Sequence, residues 1–179
     1  MRRTVPGWAV RSAAAAPVLL IGGWELAAAR QPGGFDPVSQ TISALAARGA
    51  TDRWIMTVGL AGVGVCHAIT AAGLRPAALP GRLLLAVGGA ATVAVALFPQ
   101  PVTGDSTAHV AAAALAFPAL SLWPALAAAP GAAAGLLGLL GWFGFEYLSD
   151  GPRIGLAERV LAGAQALWPL AAVLLARRR

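Results

Sequence analysis

The stretch WIMTVGLAGVGVCHAITAAGL, residues 54–74, decides the fold. It runs from Trp54 to Leu74 without a charged side chain, and about 20 apolar residues in a helix cross a hydrocarbon core about 30 Å thick. A helix is also the form in which a single segment satisfies all its backbone polar groups inside lipid. That span is placed at about 54–75, and working outward, similar apolar stretches fall at about 12–30, 81–98, 108–129, 132–148 and 156–176, separated by Arg, Pro, Gly and acidic residues. The expected fold is therefore all-α. It is a single domain over 1–179, a polytopic transmembrane helical bundle of six spans, with both termini cytoplasmic and a short interfacial helix in the first outer loop.

Composition agrees with that class. Of 179 residues 58% are hydrophobic and 11% charged, where a soluble domain carries about 25% charged residues. The net charge of +6 would suggest a polyanion partner in a soluble protein. Here the basic residues, all Arg, sit between apolar stretches and set orientation, so no nucleic-acid partner is expected. Arg2, Arg3, Arg11, Arg75, Arg82, Arg177, Arg178 and Arg179 fall on one side of the alternating spans. Arg30, Arg48, Arg53, Arg153 and Arg159 fall on the other, together with the acidic residues. The side richer in Arg is read as cytoplasmic, which makes this a multi-pass protein of the cell membrane with the lipid bilayer as its partner. Arg2, Arg3, the apolar run and Ala27–Ala29 imitate a cleaved signal peptide, but Glu25 and the length of the run favour an uncleaved first helix. The single Cys66 excludes an intramolecular disulfide and a CxxC site.

Small residues recur where helices are expected to pack closely, at Gly59, Gly62 and Gly64 in the second span and at Gly135, Gly138, Gly141 and Gly144 in the fifth. The second set predicts that the fifth span lies near the bundle centre. In the first outer loop, Asp36-Pro37 suits the start of a short helix over Ser39–Ala47 at the outer interface, with Ile42 and Leu45 facing the bilayer or the bundle and Gln40, Ser43 and Arg48 on its more polar side.

Ionisable residues in apolar helices mark candidate chemistry, because each is costly in lipid. Glu25, His109 and Glu146 all fall near the outer ends of their spans, beside the Asp36–Ser43 loop, while His67 lies deep in the second span. The functional reading is an outward-facing polar pocket in which His109, Glu25, Asp36 and Ser39 form the catalytic set, and Ser43, Asp105, Glu146 and Arg48 the binding set. The bland reading is that these groups pair with Arg residues and staple the loops. No GxSxG elbow accompanies Ser39 or Ser43. With two His, widely separated in depth, neither a metal site nor a bis-His haem is expected, and no cofactor is implied. The six Trp residues lie mostly toward span ends, as interfacial anchors do.

The loop Phe35-Asp36-Pro37-Val38-Ser39-Gln40-Thr41-Ile42-Ser43, continuing to Gly49 and then Arg53-Trp54-Ile55-Met56, resembles the domain of unknown function 998 family of small bacterial and archaeal integral membrane proteins. Phe98-Pro99 with His109 ten residues on, and Gly155-Leu156-Ala157-Glu158-Arg159 opening the last span, carry the same resemblance. It implies a multi-span membrane protein over nearly the whole chain and supplies no reaction. A more distant comparison, with membrane hydrolases that gather Ser, Asp and several His around zinc, fails for want of a His pair in the last span. The resulting expectation is a membrane protein that binds a lipid or small hydrophobic molecule in the outward pocket, oligomeric state open. The alternatives are a hydrolase or transferase acting on lipid at the outer leaflet, and a small transporter subunit.

Overall fold

A computed structural model describes residues 4–104, 106–127 and 129–178, so Arg2, Arg3, Asp105 and Arg179 lie outside the described residues. The architecture is all-α: α1 (Gly7–Ala28), α2 (Ile42–Ala46), α3 (Trp54–Gly73), α4 (Leu79–Leu97), α5 (Thr107–Leu126), α6 (Pro130–Leu148) and α7 (Ile154–Arg178).

Among the described residues five helices, α3 to α7, are long and apolar enough to cross a membrane, so five candidate spans stand where six were expected. The exception is α1. Its 22 residues carry Arg11 and Glu25 as well as Ser12 and Pro17, and those polar positions dilute its apolar stretch. It nevertheless lies along α3. Gly73 meets Trp8 and Ala9 at one end of that pair, and Gly59 meets Leu19 and Gly23 at the other.

Successive long helices from α3 onward are joined by short connections, α1 and α3 by the longer 29–53 segment, and packing closes them into a ring in the order α1, α3, α4, α5, α6, α7 and back to α1. Two apolar clusters fill the ring. Val5, Ala9, Leu74, Leu85, Trp123 and Val173 form one at the end that holds the start of α1 and the end of α7. Leu20, Trp24, Ile42, Leu45, Met56 and Leu60 form the other, beneath α2. The α3–α4 crossing is a close backbone-to-backbone contact: a Cβ on Gly64 would lie 2.4 Å from the Gly89 carbonyl oxygen, and one on Gly89 would lie 2.5 Å from that of Gly64.

The Gly residues of α6 behave differently. Nothing stands within 4 Å of a Cβ built at Gly135, Gly138, Gly141 or Gly144, and α6 buries only Ala133, Leu136 and Glu146. The expected central packing helix is a peripheral one. Its Gly residues recur every three positions, which walks around a helix of 3.6 residues per turn instead of holding one face.

The short helix of the first long loop is present but begins at Ile42, capped by the Thr41 hydroxyl, which accepts from the Ala44 N–H at 3.2 Å. Asp36 caps the turn before it instead, accepting from the Val38 N–H at 3.0 Å and from the Ser39 hydroxyl. Of the two surroundings the sequence left open for Ile42 and Leu45, the structure gives the bundle, where both are buried.

Candidate functional site

What seats α2 is the first turn of α7. Gly155 leaves the room: a Cβ there would lie 2.3 Å from the Gln40 carbonyl oxygen. The Leu156 N–H donates to the Val38 carbonyl at 3.0 Å. Arg159 Nη1 donates to the carbonyls of Pro37, Gln40 and Gly155 at 3.0, 2.7 and 3.0 Å. Its guanidinium stands 5.2 Å from the Phe35 ring centroid and 5.9 Å from that of Trp24, both within cation–π range. The carboxylates of Glu158, Glu25 and Asp36 act on it electrostatically.

This docking brings three polar side chains from different helices together. Glu158, 4% exposed, accepts from the Ile42 N–H with Oε2, and its Oε1 stands 3.3 Å from Ser43 Oγ. Ser43 Oγ is 3.1 Å from His109 Nε2. His109, buried in the first turn of α5, places Nδ1 2.9 Å from the Phe98 carbonyl at the end of α4. The Ser106 cap of α5, accepting from the His109 N–H at 3.3 Å, fixes where that ring starts.

Beside Ser43 and Glu158 lies a partly enclosed cavity of about 50 Å³. Ser43 and Glu158 line one part of it, and His67, Thr92 and Gln165 line others, among Leu, Val, Ala and Phe117 walls. His67 is 1% exposed, and neither ring nitrogen has a hydrogen-bond partner. Its depth in the second span, read from the sequence, corresponds to full burial in the bundle. A second hollow, a surface groove of about 340 Å³, runs between the 31–50 loop and Pro101-Val102 and is lined by Gln31, Phe35, Gln40 and Leu45 among others.

Of the residues expected to converge, His109 and Ser43 do, with Glu158 as an unforeseen third member. Asp36 and Ser39 bond each other in an exposed turn. Glu25 accepts from its neighbour Trp24 Nε1 at 2.8 Å. Glu146 caps the α6–α7 connection, accepting from the Arg153 N–H at 2.9 Å and Trp142 Nε1 at 3.2 Å. Arg48 is exposed, and its backbone N–H donates to the Gln100 carbonyl at 2.9 Å. Among the described residues no group of three or more His, Cys, Asp or Glu is placed to hold a metal ion. The signal for Glu158 was readable: Glu158, Leu161 and Gln165 fall at i, i+3 and i+7, one buried helical face, so this carboxylate had to point into the bundle.

The Asp36 turn carries a pH dependence. The Ser39 hydroxyl first, then the Val38 N–H, hold the Asp36 carboxyl below its ordinary range. A depressed folded value means that this support is present above the ordinary carboxylate range and is lost as pH falls through the lowered one. The Val38 amide resonance of the protein in nanodiscs should therefore stay in place from neutral pH down through that range and broaden below it. In Asp36→Asn it should already be displaced at neutral pH.

A family described as protein of unknown function (DUF998) matches residues 13–175. No curated protein and no solved structure matches the chain.

Proposed function

The chain belongs to the DUF998 family of proteins of unknown function, and from that premise we propose that it is a multi-pass protein of the cell membrane that binds a small amphipathic molecule, a lipid headgroup with part of its chain, in the groove beside α2. The end holding Arg11, Arg75, Arg82, Arg177 and Arg178 faces the cytoplasm in this reading, so the groove opens outward. The observation that carries it is the groove itself. Its roughly 340 Å³ falls in the size range of small-molecule sites, and its lining pairs Gln31 and Gln40 with Phe35, Leu45 and Val102.

Titration of the protein in nanodiscs with a fluorescent lysophosphatidylcholine tests this. Saturable binding is expected, weakened about tenfold, or about 1.4 kcal/mol, by Ala44→Phe, which fills the groove from α2. Unsaturable partitioning identical in both proteins would sink the reading.

The hydrolase or transferase reading rests on a different observation, Ser43 Oγ 3.1 Å from His109 Nε2 with the ring oriented by the Phe98 carbonyl. It places the nucleophile at Ser43 instead of Ser39. It ranks second because Glu158 takes the Ile42 N–H, the donor that an oxyanion beside Ser43 would use, and the adjoining cavity is too small for an acyl chain. Release of fatty acid or headgroup from vesicle lipid, lost in both Ser43→Ala and His109→Gln, would reverse that order.

A further inference from the structure

The proton inventory around His109 does not close with the hydroxyl proton of Ser43 alone. Nδ1 faces the Phe98 carbonyl, which only accepts, so Nδ1 carries a proton. Nε2 and Glu158 Oε1 then both face Ser43 Oγ, at 3.1 and 3.3 Å. A hydroxyl donates one proton and satisfies one of these neighbours. The other contact becomes a hydrogen bond only if one more proton resides in the string. It sits on Glu158 Oε1, which then donates to Oγ while Ser43 donates to Nε2, or it sits on Nε2, which then donates to Oγ while Ser43 donates to Oε1. The two forms share the same heavy-atom positions. Conversion moves two protons by one hydrogen bond each: the Oε1–H bond breaks as Oγ–H forms, and the old Oγ–H breaks as Nε2–H forms. The summed charge of the trio stays at zero.

The cavity supplies an independent observation. His67 is buried against it with both ring nitrogens unpartnered, in a bundle whose other polar side chains are mostly bonded. A water needs about 10–15 Å³ of such space, while an apolar cavity of about 150 Å³ admits a ring the size of benzene. The roughly 50 Å³ here therefore suits a few waters and no lipid chain.

We propose that Glu158, Ser43 and His109 form a binding site for a single proton, opening on a hydrated cavity whose water is bonded to His67. The site goes beyond ligand binding in the surface groove and stands without it. The charged groups around it are Arg159 on α7, acted on by Glu25 of α1 and Asp36 of the loop, and Arg53, whose Nε donates to the Ala46 carbonyl on the far side of α2. Arg159 bonds carbonyls of the loop, which leaves the second Glu158 contact to Ser43.

The chain has only two histidines, so ¹⁵N resonances of the full-length protein in nanodiscs are assignable with a His67→Gln variant. The Glu158 carboxylic-acid band is assignable in the infrared by its loss in Glu158→Gln. At neutral pH the protonated fraction of Glu158 and the imidazolium fraction of His109 should sum to one. Ser43→Ala should break that sum, and Ser43→Thr, which keeps the hydroxyl, should restore it. Ionised Glu158 together with neutral His109 in the native protein would overturn the proposal, as would Ser43→Ala leaving both signatures unchanged. The native measurement decides the matter by itself if a variant fails to fold. Magnetisation transfer from water to the His67 ring should be observed, and its absence would overturn the hydrated cavity.

Discussion

Replacing Gly64 by valine should destabilise the bundle by about 3 kcal/mol or more and separate α3 from α4. The new Cβ would fall 2.4 Å from the Gly89 carbonyl oxygen, 2.7 Å from Val93 Cγ2 and 2.9 Å from the Val93 nitrogen. Two of those atoms are backbone, so no side-chain rotamer relieves the clash, and the helices must move apart. In lipid the loss is not offset by hydrophobic burial elsewhere, because close packing is itself what associates the helices. Unfolding in a mixed-detergent titration gives the number, with Gly138→Val as the control. Nothing lies within 4 Å of a Cβ at Gly138, so that change should cost only a small backbone term. Equal destabilisation by the two variants would refute the account of the α3–α4 contact.

The second large effect is expected at Glu158. Its replacement by alanine should cost about 2–3 kcal/mol, because the Ile42 N–H is left buried without an acceptor and Ser43 loses a partner. Glu158→Gln should be milder, since an amide keeps an oxygen for the Ile42 N–H and presents donors toward Ser43. The distinguishing readout is local: in Glu158→Ala the 31–50 loop should become sensitive to added protease while α3 and α4 stay protected from exchange. Uniform loss of protection through all helices would mean that Glu158 supports the whole bundle and not the seating of α2.

The helices were legible because apolar length is a one-dimensional property, and α3 to α7 coincide closely with the runs read from residues alone. The first helix was overcounted as a span because Arg11 and Glu25 dilute a run that looks continuous in its middle, from Ala13 to Ile21. The position of α6 was misjudged for a different reason. Glycine spacing shows where helices are able to approach, not whether a neighbour is there, and α6 faces open space along its Gly positions. At the site, Ser43 and His109 were both singled out, but Ser39 was preferred to Ser43 as the hydroxyl beside His109. Asp36 and Ser39 were singled out on the same grounds and turned out to satisfy one another locally. A sequence motif of polar residues in one loop does not say which of them the loop turns inward, and Gly155 on α7, 112 positions after Ser43, settles that by making room for Gln40.

The ring closes by bringing α7 against α1, and the trio takes Ser43 and His109 from the first two-thirds of the chain and Glu158 from its last helix. During synthesis the ribosome therefore delivers the hydroxyl and the imidazole well before the carboxylate. A nascent chain that has inserted only as far as α6 holds α2 without its anchor, and insertion of α7 both shuts the barrel of helices and completes the trio.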